Sequence, residues 1–282
     1  MEAGNAMHIH DVWSRWTSRG AAALLGLALL LGTPAAALAQ SEGRPVLGEN
    51  YHAELGFTFW NPSVLGTVSS EQFDIVGTDI DFVDDLGFEQ ARFRDMRIVL
   101  RPGTKHRFRI QHTPVSYTSD TTFNRNIVFN GIAFPISVPV STQFDWKVWR
   151  LGYEYDFLYL PRGFVGALIE VRHTRMEANL ATIGIEEFTS ATAPLPAFGI
   201  VGRAYVMPEV AVNFELTGFK LPDIDPKYKA NYFDWDIHGT VNLTNYVGLQ
   251  VGWRRMTTYL SIENDIGDIQ FQGMWFGGAI RY

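Results

Sequence analysis

The feature that most constrains this sequence is the alternation of apolar and charged side chains along segments of about ten residues. From 149 to 159 every odd position is apolar or aromatic, whereas the even positions include Arg150, Glu154 and Asp156. The pattern recurs, with fewer charges, along 165–171, 210–217 and 233–243. Because successive side chains of a β-strand point to opposite faces, each segment predicts a strand with one apolar and one polar face.

The length and charge of these segments favour a membrane barrel over a soluble sandwich. Strands of about ten residues exceed the usual five or six and suit a tilted membrane crossing. Full charges recur on one face only, which suits a polar barrel interior and would disrupt an apolar sandwich core. Tight connections also alternate with longer ones. The predicted fold is an all-β, closed, antiparallel up-and-down transmembrane β-barrel.

Counting the crossings gives about ten strands, with both chain ends on one side of the membrane. The second crossing has the weakest apolar stripe because Arg92 and Arg94 continue it outward. Eight or twelve strands are therefore the alternatives. The crossings are predicted at 51–60, 89–101, 105–116, 143–160, 164–179, 196–207, 209–220, 230–243, 246–260 and 269–282. The longer outer connections are predicted at 61–87, 117–140, 181–195, 221–229 and 262–268.

The N-terminal segment has the pattern of a secretory signal peptide. Two arginines precede an apolar run, and a small-x-small cleavage site ends at Ala39. The predicted division is a signal peptide at 1–39 and a β-barrel domain at 40–282. An uncleaved transmembrane helix over 21–39 is the alternative, and Pro34 near its end argues against it.

Charge and cysteine content exclude several classes of protein. The net charge of -7 argues against a nucleic-acid partner, which would require a basic face. The absence of cysteine excludes a disulfide scaffold and thiolate catalysis. Four aspartates lie in segment 77–87, but their spacing does not fit a calcium loop, so they predict a solvated surface loop. We therefore expect no nucleic acid, no metal and no cofactor.

The inward faces are predicted to form a charge network that fills the lumen. All of its cations are arginines, whose planar guanidinium groups pair with carboxylates through two hydrogen bonds. Barrels of about eight strands are filled by side chains, so a plugged lumen is favoured over a narrow ion or solute path. Aromatic residues at strand ends, including Tyr51, Trp60, Tyr159 and Tyr205, are expected to form interfacial girdles. The network comprises Arg97, Arg107, Arg109, Arg150, Arg172, Arg203 and Arg254 with Glu54, Asp95, Glu154, Asp156, Glu170, Glu215, Asp234 and Asp236.

The last residues carry an assembly pattern formed by Gly277, Ile280 and the final aromatic Tyr282. This segment resembles the terminal signal strand of bacterial outer-membrane β-barrel proteins, although Trp275 stands where a polar residue is commoner. The resemblance implies a location in the cell outer membrane. It also implies insertion by the outer-membrane assembly machinery, which recognises the last strand.

Asp236 and His238 are the candidate catalytic pair, since they share the inward face of one strand. A histidine beside carboxylates can activate water. The pair is faintly similar to the Asp-x-His of omptins, which are ten-stranded outer-membrane proteases. Asp79 and Asp81 would correspond to that family's Asp-x-Asp pair, but they lie in a different outer loop. The alternative interpretation is that His238 joins the lumen network.

The second outer connection contains Asn130-Gly131 between apolar triplets, which predicts a two-residue hairpin. Its apolar residues either fold over the mouth of the barrel or contact lipopolysaccharide or another protein.

These features predict an integral outer-membrane barrel with a structural, surface-interaction or limited-permeability role in a Gram-negative-type envelope. A non-enzymatic role is favoured. The alternatives are an omptin-like protease or other barrel enzyme, and a narrow, porin-like solute channel. The expected partners are outer-membrane lipids, lipopolysaccharide and the assembly machinery, and the sequence carries no signal for an oligomeric state.

Overall fold

The computed structural model describes residues 44–282 apart from 70–76, 130, 183–184, 222–227 and 263–264. One compact unit, Pro45–Tyr282, contains all of the described strands. Within the described ranges, no helix is long and apolar enough to cross a membrane. The predicted signal peptide at 1–39 lies outside the described residues and remains a prediction.

The described part of the chain forms fourteen strands. They are β1 (Ala53–Trp60), β2 (Ser63–Ser69), β3 (Ile80–Asp81), β4 (Phe93–Gly103), β5 (His106–Thr122), β6 (Ile127–Phe129), β7 (Ile132–Phe134), β8 (Pro139–Leu160), β9 (Gly163–Thr182), β10 (Ile185–Tyr205), β11 (Val210–Lys220), β12 (Tyr228–Asn242), β13 (Val247–Ile262) and β14 (Asp265–Arg281).

Ten of these strands form a closed antiparallel barrel in the order β1-β4-β5-β8-β9-β10-β11-β12-β13-β14. β14 returns to β1 and closes the sheet, with Glu54 opposite Arg281 and Trp60 opposite Trp275. In hydrocarbon every backbone N–H and C=O group must be paired, and closure satisfies both edges of the sheet. The prediction of a ten-stranded up-and-down barrel is confirmed, and the second crossing, whose stripe was weakest, is β4.

The two faces of each strand separate as the alternation predicts. On β8 the side chains of Trp149 and Leu151 are 45% and 56% exposed, whereas Arg150 and Glu154 are 5% and 3% exposed. Exposed apolar side chains surround the barrel, among them Phe108, Ile169, Phe198, Val251 and Phe276. Apolar atoms at the surface of a closed barrel with ionic groups inside are the arrangement that a lipid environment selects.

The expected aromatic girdle is wrong at four of its positions. Tyr51, Trp60 and Tyr205 are buried inside the barrel. The last two share the inward parity of Glu54 and Arg203, so their rings line the lumen. Tyr159 turns toward the interior after a bulge in β8 between Tyr155 and Leu158, and its hydroxyl accepts a hydrogen bond from Arg101 Nη2 at 3.0 Å.

Two predicted outer loops are strands instead. β9 and β10 pair as far as Thr182 and Ile185, so 181–195 is mostly strand. β13 and β14 pair as far as Ile262 and Asp265, which shortens the connection predicted at 262–268. Both segments lack an apolar stripe, but their backbone groups still pair, and the barrel wall therefore continues beyond its apolar band.

The first two outer connections fold into the barrel. In the first, β2 continues β1 along β14 and pairs with β3, and Phe82 is fully buried. In the second, β6 and β7 form the predicted hairpin, with Phe129 opposite Ile132, although Asn130 lies outside the described residues. Ile127 and Phe129 are fully buried, so this hairpin folds inward.

The inner and outer halves of the lumen differ in chemistry. Side chains from both folded loops join Trp60, Trp146 and Phe271 in one large apolar cluster inside the outer half. The prediction of a lumen filled throughout by charges is therefore wrong for this half. Loop residues, which carry no strand periodicity, supply much of the apolar filling.

Candidate functional site

The inner half of the lumen holds a continuous network of arginine–carboxylate pairs. Its centre is Asp234 on β12, whose carboxylate lies 2.8 Å from Arg254 Nη2 and 3.4 Å from Nη1 of both Arg150 and Arg172. The hydroxyl of Tyr232 also donates to Asp234 at 2.8 Å. Strand alternation aims all of these side chains inward, and every one of them is buried.

Arg150 on β8 links this centre to carboxylates on β9 and β11. Its Nη2 lies 3.1 Å from Glu170 Oε2 and 2.5 Å from Glu215 Oε1. Glu215 also accepts a hydrogen bond from Arg109 at 2.6 Å, and Glu170 pairs with Arg172. Each carboxylate therefore has at least two arginine partners, and this compensates the cost of removing both charges from water.

Glu49 closes the end of the barrel at which the first described residues and Tyr282 lie. It precedes β1, and its carboxylate lies 3.1 Å from Arg107 Nη2 and 3.1 Å from Arg203 Nη1. Arg101 Nη1 lies 3.5 Å from Glu49 Oε1, and the Tyr205 hydroxyl donates to Oε2 at 3.2 Å. Segment 44–52 is therefore held across this end of the lumen by four side chains of the barrel wall.

The wall near this end carries further pairs. Arg107 Nη1 lies 2.6 Å from Glu154 and 2.5 Å from Asp156. Arg281 Nε donates to Glu54 Oε2 at 2.6 Å, which joins β14 to β1 at the closing seam. The other carboxylate oxygen of Glu54, Oε1, lies 3.9 Å from Arg97 Nη2.

The structure brings all fifteen residues of the predicted network into one lumen and adds three more. Glu49, Arg101 and Arg281 were missed, and the charges then balance at nine arginines and nine carboxylates among the described residues. Arg101 lies four residues after Arg97 on the same strand and therefore faces inward as Arg97 does, so alternation could have identified it. Alternation along the last strand could have identified Arg281 in the same way. Glu49 lies outside any strand, so no periodicity could have found it.

The charge network ends against the apolar cluster. The guanidinium of Arg254 lies over the ring of Trp60 at 5.1 Å, and that of Arg172 lies over Tyr232 at 3.8 Å. Two polar cavities of about 40 Å³ each lie among the side chains of the network, and both are lined by Arg97 and Glu215. A volume of this size accommodates about three water molecules. These cavities are too small to admit a peptide or a sugar.

Asp236 and His238 form the predicted hydrogen-bonded pair. His238 Nδ1 lies 2.6 Å from Asp236 Oδ1, and Trp275 Nε1 donates to Asp236 Oδ2 at 2.5 Å. The imidazole ring packs against Trp275, with ring centres 4.9 Å apart. His238 is buried and its Nε2 has no hydrogen-bond partner among the described protein groups. The pair has the geometry of a general base, but it lies inside the filled lumen.

The two pairs compared with those of omptins, Asp236 with His238 and Asp79 with Asp81, do not meet. Asp81 pairs with Thr67, which lies opposite Asp268 on β14. Asp236 pairs with Arg254, which lies opposite Gly273 on the same strand. Five residues of strand correspond to about 17 Å along the barrel wall. Asp81 instead accepts backbone hydrogen bonds from Val83 and Asp84 at 2.8 Å.

The acidic outer loop is held by an ion pair. Arg125 Nε donates to Asp85 Oδ1 at 3.0 Å, and its Nη2 lies 2.5 Å from Oδ2. These hydrogen bonds hold the pKa of the Asp85 carboxyl below its ordinary value. Within the described residues, no group of three or more histidine, aspartate or glutamate side chains could hold a metal ion.

The C-terminal residues lie at the closing seam. A Cβ atom on Gly277 would lie 2.1 Å from the carbonyl oxygen of Phe57, so the approach of β1 to β14 requires glycine here. Ile280 and Tyr282 are exposed on the outer surface. The backbone oxygen of Tyr282 accepts hydrogen bonds from His52 and Ala53, which pairs the last residue with the start of β1.

Comparison with known proteins adds evidence at the level of the fold. No family model matches the sequence, and no curated protein is significantly similar to it. Among solved structures, the outer membrane protease OmpT from Escherichia coli aligns with a TM-score of 0.56 at 11% identity, covering 82% of this chain and 97% of that one.

Two other barrels align less well. The attachment invasion locus protein Ail of Yersinia pestis gives a TM-score of 0.34 at 10% identity, covering 82% of this chain and 99% of its own. The toluene transporter TodX of Pseudomonas putida gives a TM-score of 0.35 at 7% identity, and the alignment covers 82% of this chain and 90% of TodX. Closure, strand order, the exposed apolar band and the OmpT alignment agree, and by its fold this chain is a closed ten-stranded antiparallel β-barrel.

Proposed function

We propose that this protein is a closed outer-membrane barrel that serves as a rigid structural element and presents its outer wall at the cell surface. The observation that carries the proposal is the continuous filling of the lumen. Segment 44–52 covers one end, the arginine–carboxylate network fills the inner half, and aromatic side chains occupy the outer half. A barrel filled in this way stiffens the membrane-embedded wall, and the cavities of about 40 Å³ among the described network residues are too small for a hydrated solute to cross.

The length of the strands supports a role at the surface. β8 and β9 contain 22 and 20 residues, about twice the nine to eleven that cross a bilayer. Beyond the apolar band, the outward face of this hairpin carries exposed polar side chains such as Gln143, Lys147 and Arg175. The wall therefore extends roughly 25 Å past the membrane surface, from the strand rise and a tilt near 45°. Lipopolysaccharide and neighbouring surface proteins are the partners that such a wall would meet.

Conductance measurements test the closed lumen. The folded protein, reconstituted in planar bilayers beside a general porin as positive control, is expected to give no stepwise current. Stepwise current through the wild-type protein would contradict a closed lumen and would support the alternative of a narrow channel.

The enzymatic alternative has its own test. The protein is expected to leave a basic peptide intact in detergent that contains lipopolysaccharide. Cleavage that is retained in His173→Ala, a variant of an exposed histidine on the outer face of β9, but lost in His238→Ala would overturn the structural role. The matched histidine separates loss of a reacting group from a general effect of substitution.

A further inference from the structure

We propose that the outer half of the barrel contains a binding site for a small, uncharged apolar molecule about the size of naphthalene. The site is a cavity of about 270 Å³ that is distinct from the two small polar cavities of the charge network. Phe144, Met176, Leu260 and Ile269 contribute apolar side chains to its lining.

The cavity lies where two apolar clusters of the interior meet. Phe144 and Ile269 belong to the large cluster that contains the folded outer loops. Leu260 belongs to a second cluster, formed with Leu195 and Ala230. Met176 packs against both clusters. The space between them is therefore bounded on two sides by buried hydrocarbon.

The size and chemistry of this cavity select the class of ligand. Water occupies an internal cavity when it finds two to four polar partners, whereas an apolar cavity of about 150 Å³ stays dry and binds benzene. The cavity here is partly open, its lining is mostly apolar with Ser69, Ser190 and Thr192 as uncharged polar members, and its volume is nearly twice as large. A bicyclic aromatic or a compact alkyl group of similar volume would restore the packing contacts that the cavity lacks.

The charged groups at the cavity disfavour anionic ligands. Glu177 and Asp265 are the acidic residues of the lining. Glu177 is neutralised by Arg175, whereas Asp265 has no ion pair among the described residues. A fatty acid or another carboxylate would therefore bring a second negative charge toward Asp265. A neutral hydrocarbon carries no such cost.

Methyl NMR of the folded protein in detergent micelles tests the site with naphthalene as probe. With ¹³C-methyl methionine, the Met176 signal is assigned by its loss in Met176→Leu. Its shift is expected to saturate as naphthalene is added, and 1-naphthoate is expected to bind at least tenfold more weakly. Met274, which is exposed on the lipid-facing surface, reports the naphthalene that only partitions into detergent.

Two cavity variants and one control complete the test. Ala178→Leu fills the cavity from β9 and is expected to weaken naphthalene binding at least tenfold, as is Leu260→Gln, which places an amide in the lining. Ala167→Leu adds the same volume on the outward face of β9 and is expected to bind like the wild type. Unchanged binding in every folded cavity variant, or a Met176 shift that follows Met274 without saturating, would show that the cavity is not a binding site.

Discussion

Replacing Glu49 with alanine removes the carboxylate that ties segment 44–52 to the base of the barrel. Three arginines lose a partner, but they are affected unequally. Arg107 keeps both Glu154 and Asp156. Arg203 keeps two neutral partners, the side chain of Asn213 at 2.6 Å and the ring of Phe164, whose centre lies 5.7 Å from the guanidinium. Arg101 keeps neutral oxygens, including Thr104 O at 2.9 Å.

The expected cost follows from the two arginines that are left uncompensated. Removing one partner of a buried ion pair typically costs 3–5 kcal/mol, because the remaining charge stays buried. Arg203 is 8% exposed and the Glu49 side chain 11%, at an end of the barrel that water can reach. We therefore expect a loss near the lower limit, about 3 kcal/mol in the free energy of unfolding. This corresponds to a roughly 150-fold change in the folding equilibrium.

Urea titration in detergent micelles, followed by tryptophan fluorescence and by heat-dependent gel mobility, measures this loss. Glu209→Ala is the matched control, since Glu209 lies at the same end and its side chain has no ion pair among the described residues. In the double variant Glu49→Ala/Arg203→Leu the combined loss should be smaller than the sum of the single losses by at least about 1 kcal/mol, as expected for coupled charges. A loss below 1 kcal/mol for Glu49→Ala, or one equal to that of Glu209→Ala, would refute the role assigned to Glu49.

Three further predictions concern the outer loop, the lipid-facing surface and the last strand. Because the folded-state pKa of Asp85 is lowered, its pairing with Arg125 should stabilise the loop above about pH 4, and this stabilisation should be lost as the pH falls through the lowered pKa. Limited proteolysis across this pH range would detect the loss. Asp85→Asn should remove the pH dependence and destabilise the loop by up to about 1 kcal/mol. Leu151→Arg should destabilise the barrel in bilayers by about 2–4 kcal/mol in urea titrations, and no loss would contradict the lipid-facing assignment. Tyr282→Ser should reduce the amount of folded protein in the outer membrane of cells while refolding in detergent stays within twofold of the wild type; equal loss in both assays would indicate a structural role instead.

Strand periodicity explains why the barrel and most of its network could be predicted. An inward arginine such as Arg150 is identified by its own sequence neighbours, since Trp149 and Leu151 must then face the lipid. The same argument applies to Glu170, Asp234 and Arg254. Arg101 and Arg281 also lie at inward positions of their strands, so the alternation argument should have identified them, but the prediction missed both.

Parity could not predict which inward groups would meet across the lumen. Asp236 and His238 are neighbours on one strand, so their contact was foreseeable. The distance of that pair from Asp79 and Asp81 depends on how the first outer connection folds, because β2 and β3 take register from β14. The omptin-like arrangement therefore could be judged only from the tertiary structure.

The sequence alone determined that the chain alternates between a hydrocarbon-facing and an ionic surface, and this was sufficient to predict a closed ten-stranded barrel with buried charges. The tertiary structure decided what closes the two ends: Glu49 at the base and Phe82 and Phe129 in the outer half. Glu49 lies in segment 44–52, Phe82 in the connection between β1 and β4, and Phe129 in the connection between β5 and β8, all outside the barrel crossings. Their positions depend on contacts with residues far away in the sequence, and such contacts leave no local period in the chain.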